Sequence, residues 1–356
     1  MLFSPLTLGA LELPNRLVMA PLTRVRAGKE GVPGPLMAEH YRQRASVGLI
    51  VSEGIYPSPA GQGYSGQPGL VTEAQVAGWR TVTSAVHAEG GRIFAQIMHA
   101  GRVSHEAVNG GYEVVAPSAI PIEGDIHTPQ GKMAYPAPRA LGARELPAIV
   151  QEFVQASVSA ISAGFDGIEL HSANGYLLHE FLSPASNQRD DIYGGSPANR
   201  ARFVIEVTEA VAAVVGADRV GIRISPEHNI QGALETDASD VLSTYRALVD
   251  AISPLNPAYL SILHADPSGE LVQDLRNRFA GPFLLNTGFG TVTTREQAMG
   301  LVTDGHADAV VVGRPTIANP DLVRRWSEGL PLNEANPATF YGEGAEGYTD
   351  YPAYQN

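Results

Sequence analysis

The sequence predicts an α/β protein built as a (β/α)8 TIM barrel with an N-terminal hairpin. Three observations predict it. Short apolar runs alternate strictly with longer helical patterns, which implies a parallel sheet. The runs are almost continuously apolar, as strands covered on both faces must be. The alternation reaches eight strands without a compositional break, which favours a closed barrel over the competing open doubly wound sheet. The chain has 356 residues, 44% apolar and 17% charged, enough for one such barrel and its core. A single domain over 1–356 is expected, with an excursion or lid over 102–139 and a tail over 331–356.

The elements follow in order. Strand one, 16–21, is "RLVMAP"; strand two, 49–54, is "LIVSEG", followed by a helical pattern over 74–89. Strand three, 92–98, is "RIFAQIM". It leads into 102–139, which is rich in Gly, Pro and His and too long for an ordinary connection. A helical pattern over 145–163 precedes strand four, 167–171. Helices over 198–215 and 238–251 precede strands five and six, 220–225 and 258–264. Strands 283–286 and 309–313 interleave with helices over 271–278, 295–303 and 320–328. Thr293 and Glu296 have the spacing of a capping box at the start of 295–303. The tail "FYGEGAEGYTDYPAY" is either a docked strap or a loose end.

The net charge is −13. An acidic surface repels phosphate backbones, so nucleic acid is not an expected partner. There is no cysteine, which excludes disulfides, thiolate nucleophiles and cysteine-ligated metals. The opening "MLFSPLTLGALELPNR" lacks the basic and apolar regions of a signal peptide. No apolar run reaches the ~18 residues of a membrane span. A soluble cytoplasmic protein is the expectation.

Barrel enzymes carry their chemistry at the carboxyl ends of the strands. Those ends hold Pro21-Leu22-Thr23, Glu53-Gly54, Gln96 with His99, His171 with Asn174 and Tyr176, Arg223, His264, Asn286 to Gly290, and Gly313-Arg314. Polar residues recur there while strand interiors stay apolar. Gly288-Phe289-Gly290 and Gly313-Arg314 end adjacent strands and suit a phosphate, through close backbone N–H groups and a guanidinium; taken singly, either glycine could be only a turn residue. Arg223 inside "VGIRISP" must face a ligand or pair with Glu169 or Glu53. Gln96 needs a partner from backbone or ligand. His171 has a metal reading with His99, His179 and Glu180, or a bland one as a satisfied core histidine. "GQGYSG" over 61–66 matches G-x-G-x-x-G but lacks the strand before and helix after that a dinucleotide fold needs. No G-x-S-x-G marks a serine nucleophile. Lys29 and Lys132 are the only lysines, and both lie in loop-like sequence, which argues against Schiff-base chemistry.

These strand ends together resemble the Old Yellow Enzyme family of flavin-dependent ene-reductases, which includes N-ethylmaleimide reductase-like enzymes. The resemblance runs from "LPNRLVMAPLTR" through "QIMHAGR", "GIELHSANGYLLHEFLSPASNQRDDIYGGSPANRARF", "VGIRISP" and "VVVGRPTIANPDL" to "YTDYP". It implies FMN lying across the carboxyl ends of a barrel. Pro21, Leu22, Thr23, Gly54 and Gln96 match contacts to the flavin ring, and Arg223 the cation near its N1. Gly288, Phe289, Gly290, Gly313 and Arg314 match the phosphate end. His171 and Asn174 match the pair that binds a substrate carbonyl oxygen, and Tyr176 the proton donor. Tyr64, Gln231, Phe340 and Tyr341 match the outer pocket and the tail beside it.

What the resemblance implies is reduction of the C=C bond of enones, enals and maleimides by NADPH or NADH, in alternating half-reactions. Nitrate ester or nitro reduction on the same scaffold, or a non-catalytic flavin-binding protein, are the alternatives. Met98 stands where many members carry tryptophan, and a flexible thioether there implies a roomier pocket. Arg24, Arg26 and Arg139 fall near the mouth in this reading and tilt the reductant towards NADPH. No metal is expected.

Overall fold

The computed structural model describes residues 1–355. The chain opens with an antiparallel hairpin, β1 Leu6–Leu8 and β2 Leu11–Leu13. Barrel strand β3 is Leu17–Met19, followed by helix α1 Pro35–Gln43, strand β4 Leu49–Val51, helix α2 Glu73–Ala88 and strand β5 Ile93–Ile97. The excursion then carries β6 Val115–Ala116, a hairpin of β7 Asp125–Thr128 and β8 Gly131–Ala134, and β9 Arg139–Ala140. Helix α3 Leu146–Ser162, strand β10 Gly167–Ser172, short helix α4 Leu177–Leu182 and helix α5 Pro197–Val215 come next. Strand β11 Val220–Ile224, helix α6 Ala238–Ile252, strand β12 Tyr259–Leu263 and helix α7 Glu270–Arg278 follow. The last units are β13 Phe283–Asn286, α8 Arg295–Thr303, β14 Ala309–Val312, α9 Arg314–Ala318 and α10 Leu322–Glu328.

The eight core strands close a parallel barrel in the order β10-β11-β12-β13-β14-β3-β4-β5. β14 closes on β3 through the register Val312↔Met19. All eight predicted strands are present, each within one to three residues at either end. The capping-box expectation is one residue off. Thr294 caps α8 with Gln297, while the Thr293 hydroxyl pairs with that of Thr287 at 2.8 Å. Three helices escaped the sequence reading: α1, α4 and α9. α4 is buried at all six positions, so it has no polar face to reveal a helical period.

Two large apolar bodies hold the molecule. The larger lies between the helices and the outside of the barrel, from Trp79 and Phe153 to Phe203 and Trp326. The smaller fills the barrel's lower interior with Val18, Leu49, Phe94, Tyr259, Leu284 and Ala309. Leu8 and Leu13 join it from the hairpin, which therefore plugs the amino end. Gly9 at the hairpin turn has φ +56°, and a Cβ there would strike Asp218 O, just before β11.

The tail is a docked strap. Tyr348 is fully buried, its ring stacked 3.9 Å from that of His40. Its carbonyl accepts from His40 Nδ1 at 2.9 Å, and the Arg44 guanidinium lies beside it. Arg24 donates to Phe340 O and Gly347 O, and Arg26 to Thr339 O and Gly344 O. These two arginines hold the chain's own end. Arg139 is bound to Glu113 and Glu145. Arg24 and Arg26 are thus engaged by the tail, while the ion pairs of Arg139 are exposed. Among the described residues, no helix is long and apolar enough to cross a membrane.

Candidate active site

Polarity rises along the barrel axis. Above the apolar floor, Glu169 on β10 sits opposite Gln96 on β5. It accepts from Gln96 Nε2 at 2.7 Å and from Tyr259 Oη at 2.9 Å. Burial raises its pKa, and nearby Arg223 pulls it back. Gln96 thus has a carboxylate partner, neither of the two foreseen. Arg223 stands in register with His171. It is 2% exposed, yet its Nε and Nη1 have no hydrogen-bond partner. The foreseen ion pair is not formed: Glu169 acts on it at longer range, and Glu53 accepts instead from the backbone of Arg24 and Val25. An orphaned buried guanidinium is costly unless something else completes it.

The end of β10 turns sharply. Asn174 has φ +60° and Gly175 φ +81°, a left-handed pair that only glycine and asparagine adopt readily. Three contacts hold the turn. Asn174 N donates to Ser225 Oγ at 2.8 Å, Gly175 N to His179 Nδ1 at 2.8 Å, and Gln231 Nε2 to Asn174 O at 2.9 Å. Buried His179 passes its other nitrogen to Glu235 at 3.2 Å. It is therefore a support for the turn, outside any metal set; among the described residues no three metal-type side chains converge. Ser225, His179 and Glu235 were missed as supports. The serine at the end of "VGIRIS" was the available signal, since a buried hydroxyl closing an apolar strand needs a partner.

The turn brings the predicted trio together. The His171 and Tyr176 rings lie 5.0 Å apart in an edge-on arrangement. His171 Nδ1 and Asn174 Oδ1 have no partner. Burial, then the charge of Arg223, hold His171 well below the usual histidine range, so it is neutral near pH 7. Burial pushes the Tyr176 phenol up, while hydrogen bonds from Tyr64 and Gln231 pull it down. Met98 packs with Tyr176, Ala100 and Val103, under Tyr64 and the excursion's Ile122 and Tyr135. A Cβ on Gly54 would come 2.7 Å from Met98 Sδ, so the glycine gives that thioether its room. Tyr341 is exposed at 71%.

The remaining predicted residues frame the mouth. Pro21, Leu22 and Thr23 are half-buried beyond β3. Glu53 Oε2 fixes the next two residues through Arg24 N at 3.1 Å and Val25 N at 3.0 Å. Gly313 lies beside them, with space for a Cβ 3.6 Å from Leu22. Gly288 has φ +89°, and Gly290 has nothing within 4 Å of where a Cβ would be. Arg314 Nη2 donates to Phe289 O at 2.7 Å, which joins the two glycine loops into one open cradle. The donor set suits an anionic, planar group: an orphaned guanidinium below, a glycine-lined cradle with an arginine at one side, and neutral donors above.

Residues 1–333 match the NADH:flavin oxidoreductase / NADH oxidase family. The chain belongs to that family. It is 41% identical to the Old Yellow Enzyme homologue from Zymomonas mobilis, with a TM-score of 0.93 and 99% of both chains covered. Morphinone reductase in complex with tetrahydroNAD is 46% identical, with a TM-score of 0.93 over 100% of this chain and 98% of that one. A Leishmania infantum protein named "Probable flavin mononucleotide-dependent alkene reductase" is 40% identical over 99% of this chain and 97% of its own. The Old Yellow Enzyme barrel expected from the strand ends is thus the barrel observed.

Proposed function

We propose that the protein is an FMN-dependent ene-reductase, acting on α,β-unsaturated carbonyl compounds with NADH or NADPH as reductant. The observation that carries the reading is the single turn presenting neutral His171, Asn174 and Tyr176 above the unpartnered Arg223. The relatives are named for flavin, a nicotinamide analogue and alkene reduction.

FMN would supply the redox chemistry, taking hydride from the nicotinamide and giving it to the β-carbon of the alkene. Arg223, Gln96, Thr23 and Gly54 would hold its ring. The loops of Gly288 to Gly290 and Gly313-Arg314 would hold its phosphate. His171 and Asn174 hydrogen-bond the substrate carbonyl oxygen, where negative charge gathers. A neutral imidazole suits this role, because it donates without bringing a second cation beside Arg223. Each such preorganised donor is worth about 3 kcal/mol. Tyr176 donates the proton to the α-carbon; a phenol keeps its proton until the adjacent carbon becomes basic enough to take it. Gln231 steadies both the turn and the Tyr176 oxygen. Met98, Tyr64 and Tyr341 bound the space left for the alkene. Reductant and alkene share one mouth, so ping-pong kinetics are expected.

An anaerobic visible spectrum tests the reading. A flavin band that bleaches with NADH or NADPH and returns with 2-cyclohexenone supports it. A protein that takes up no FMN on reconstitution overturns it.

A further inference from the structure

Tyr64 and Tyr176 come from distant parts of the chain, yet their phenol oxygens lie 2.6 Å apart, with the rings edge-on at 81°. This is the short end of O–H···O hydrogen bonds. Tyr176 is 7% exposed; Tyr64 is half-buried and followed by exposed Ser65. Tyr64 is thus the more exposed residue of the pair.

The loop that presents Tyr64 is the Gly-rich "GQGYSG", which a dinucleotide fold does not explain. Its glycines let the backbone lie flat against the segment after β5. A Cβ on Gly63 would meet Ala100 Cβ at 2.7 Å and Val103 O at 2.9 Å, and one on Gly61 would meet His99 at 3.0 Å. Gln67 then pins the loop. Its Oε1 accepts from Gly63 N at 2.9 Å and Tyr64 N at 3.3 Å, while its Nε2 donates to Gly54 O at 2.9 Å. The loop is a rigid mount for one phenol.

We propose that Tyr64 is a positioning and proton-returning residue for Tyr176: it donates to the Tyr176 oxygen as that group loses its proton, and then returns one from solvent. The inference rests on Tyr176 being the proton donor. The atoms balance. The Tyr176 O–H bond breaks as the α-carbon C–H bond forms; the Tyr64 O–H bond then breaks as Tyr176 O–H reforms; water reprotonates Tyr64, and the hydroxide left is taken up by buffer. Gln231, whose Nε2 donates to Asn174 O at 2.9 Å, lies close enough to pull the Tyr176 phenol down as well.

The test compares Tyr64→Phe, Tyr176→Phe and the double variant as FMN-loaded proteins in stopped flow. Tyr64→Phe should slow enone-driven reoxidation roughly tenfold or more, a fraction of what a general acid contributes. Reduction by NADH, and reoxidation by ferricyanide, which protonates no carbon, should stay within about twofold of wild type if the change acts through one oxygen. The double variant should be no slower with enone than Tyr176→Phe alone, because coupled residues are not additive. In FMN-free protein carrying 3-fluorotyrosine at 176, Tyr64→Phe should raise the titration midpoint of that phenol by 19F NMR. Equal slowing by Tyr64→Phe in both backgrounds would overturn the inference and leave Tyr64 as a wall of the pocket. So would an unchanged enone step. If Tyr176→Phe itself leaves the enone step intact, the proton-donor reading falls, and this one with it.

Discussion

At the amino end of the barrel, Leu8 and Leu13 reach in from the hairpin and meet an apolar floor. At the carboxyl end, Arg223, His171 and Asn174 keep buried polar atoms without partners. The same eight strands build both ends. The lower one is closed by carbon-to-carbon packing, while the upper one holds buried polar atoms that no other part of the chain completes. The difference teaches where stability and chemistry reside. Substitutions below should move the melting temperature and spare turnover, and substitutions above should do the reverse.

The largest effect is expected above. Tyr176→Phe should lower the rate of enone-driven flavin reoxidation about 10³-fold, near 4 kcal/mol, within the range for loss of a general acid. The melting temperature should hardly move. Transient absorbance at the flavin band is the measurement, and a matching loss in the NADH half-reaction would break the comparison. The mirror experiment is Leu8→Ala. Emptying that fully buried site should cost about 3–4 kcal/mol in denaturant unfolding. kcat on 2-cyclohexenone should stay near wild type.

Glu53 marks the limit of the contrast, an upper-end group on which stability does depend, because it is buried and only half satisfied: Oε2 is bound and Oε1 is not. Burial pushes its carboxyl up to about 7. A carboxyl raised in the folded state stabilises fully below its unfolded value of ~4.5, and that contribution is lost as pH rises through 7. At most about 3 kcal/mol is at stake by this linkage. Thermal unfolding between pH 4.5 and 8 should therefore fall more steeply in wild type than in Glu53→Gln. Equal slopes would remove Glu53 as the cause. The smallest effect is expected at Met98. Met98→Trp should fill the space beside Gly54 and penalise bulky enones against 2-cyclohexenone by about 1–2 kcal/mol in kcat/KM. An unchanged size limit and unchanged facial selectivity would show that the thioether does not set the pocket.

The barrel was legible because its signal is local and repeated. A strand such as "IFAQI" between turn residues declares itself within a few positions. The candidate site at the upper end was legible for the same reason, since polar side chains at the ends of apolar runs stand out. Pairings across the fold were not. Arg24 reads as a free cation near the mouth, but its guanidinium is held by Phe340 O and Gly347 O, more than 300 positions away. No spacing in the chain announces such a contact. Gln96 reads as an amide awaiting backbone or ligand, and finds Glu169. α4 hides because it is buried on every side, and the supports of the Asn174 turn hide because histidine and glutamate could as well have been ligands.

The scarcity of nucleophiles has a consequence for operation. Conjugated enones and maleimides alkylate thiols first and amines next. This chain has no cysteine, and its two lysines, Lys29 and Lys132, are both exposed. Of its ten histidines, His40, His99, His171 and His179 are buried, while His87 and His127 are exposed. A catalyst made this way can sit in high concentrations of its own electrophilic substrates with little self-inflicted covalent damage. Inactivation over many turnovers should then follow unfolding or loss of the flavin, and an added surface cysteine should shorten its working life.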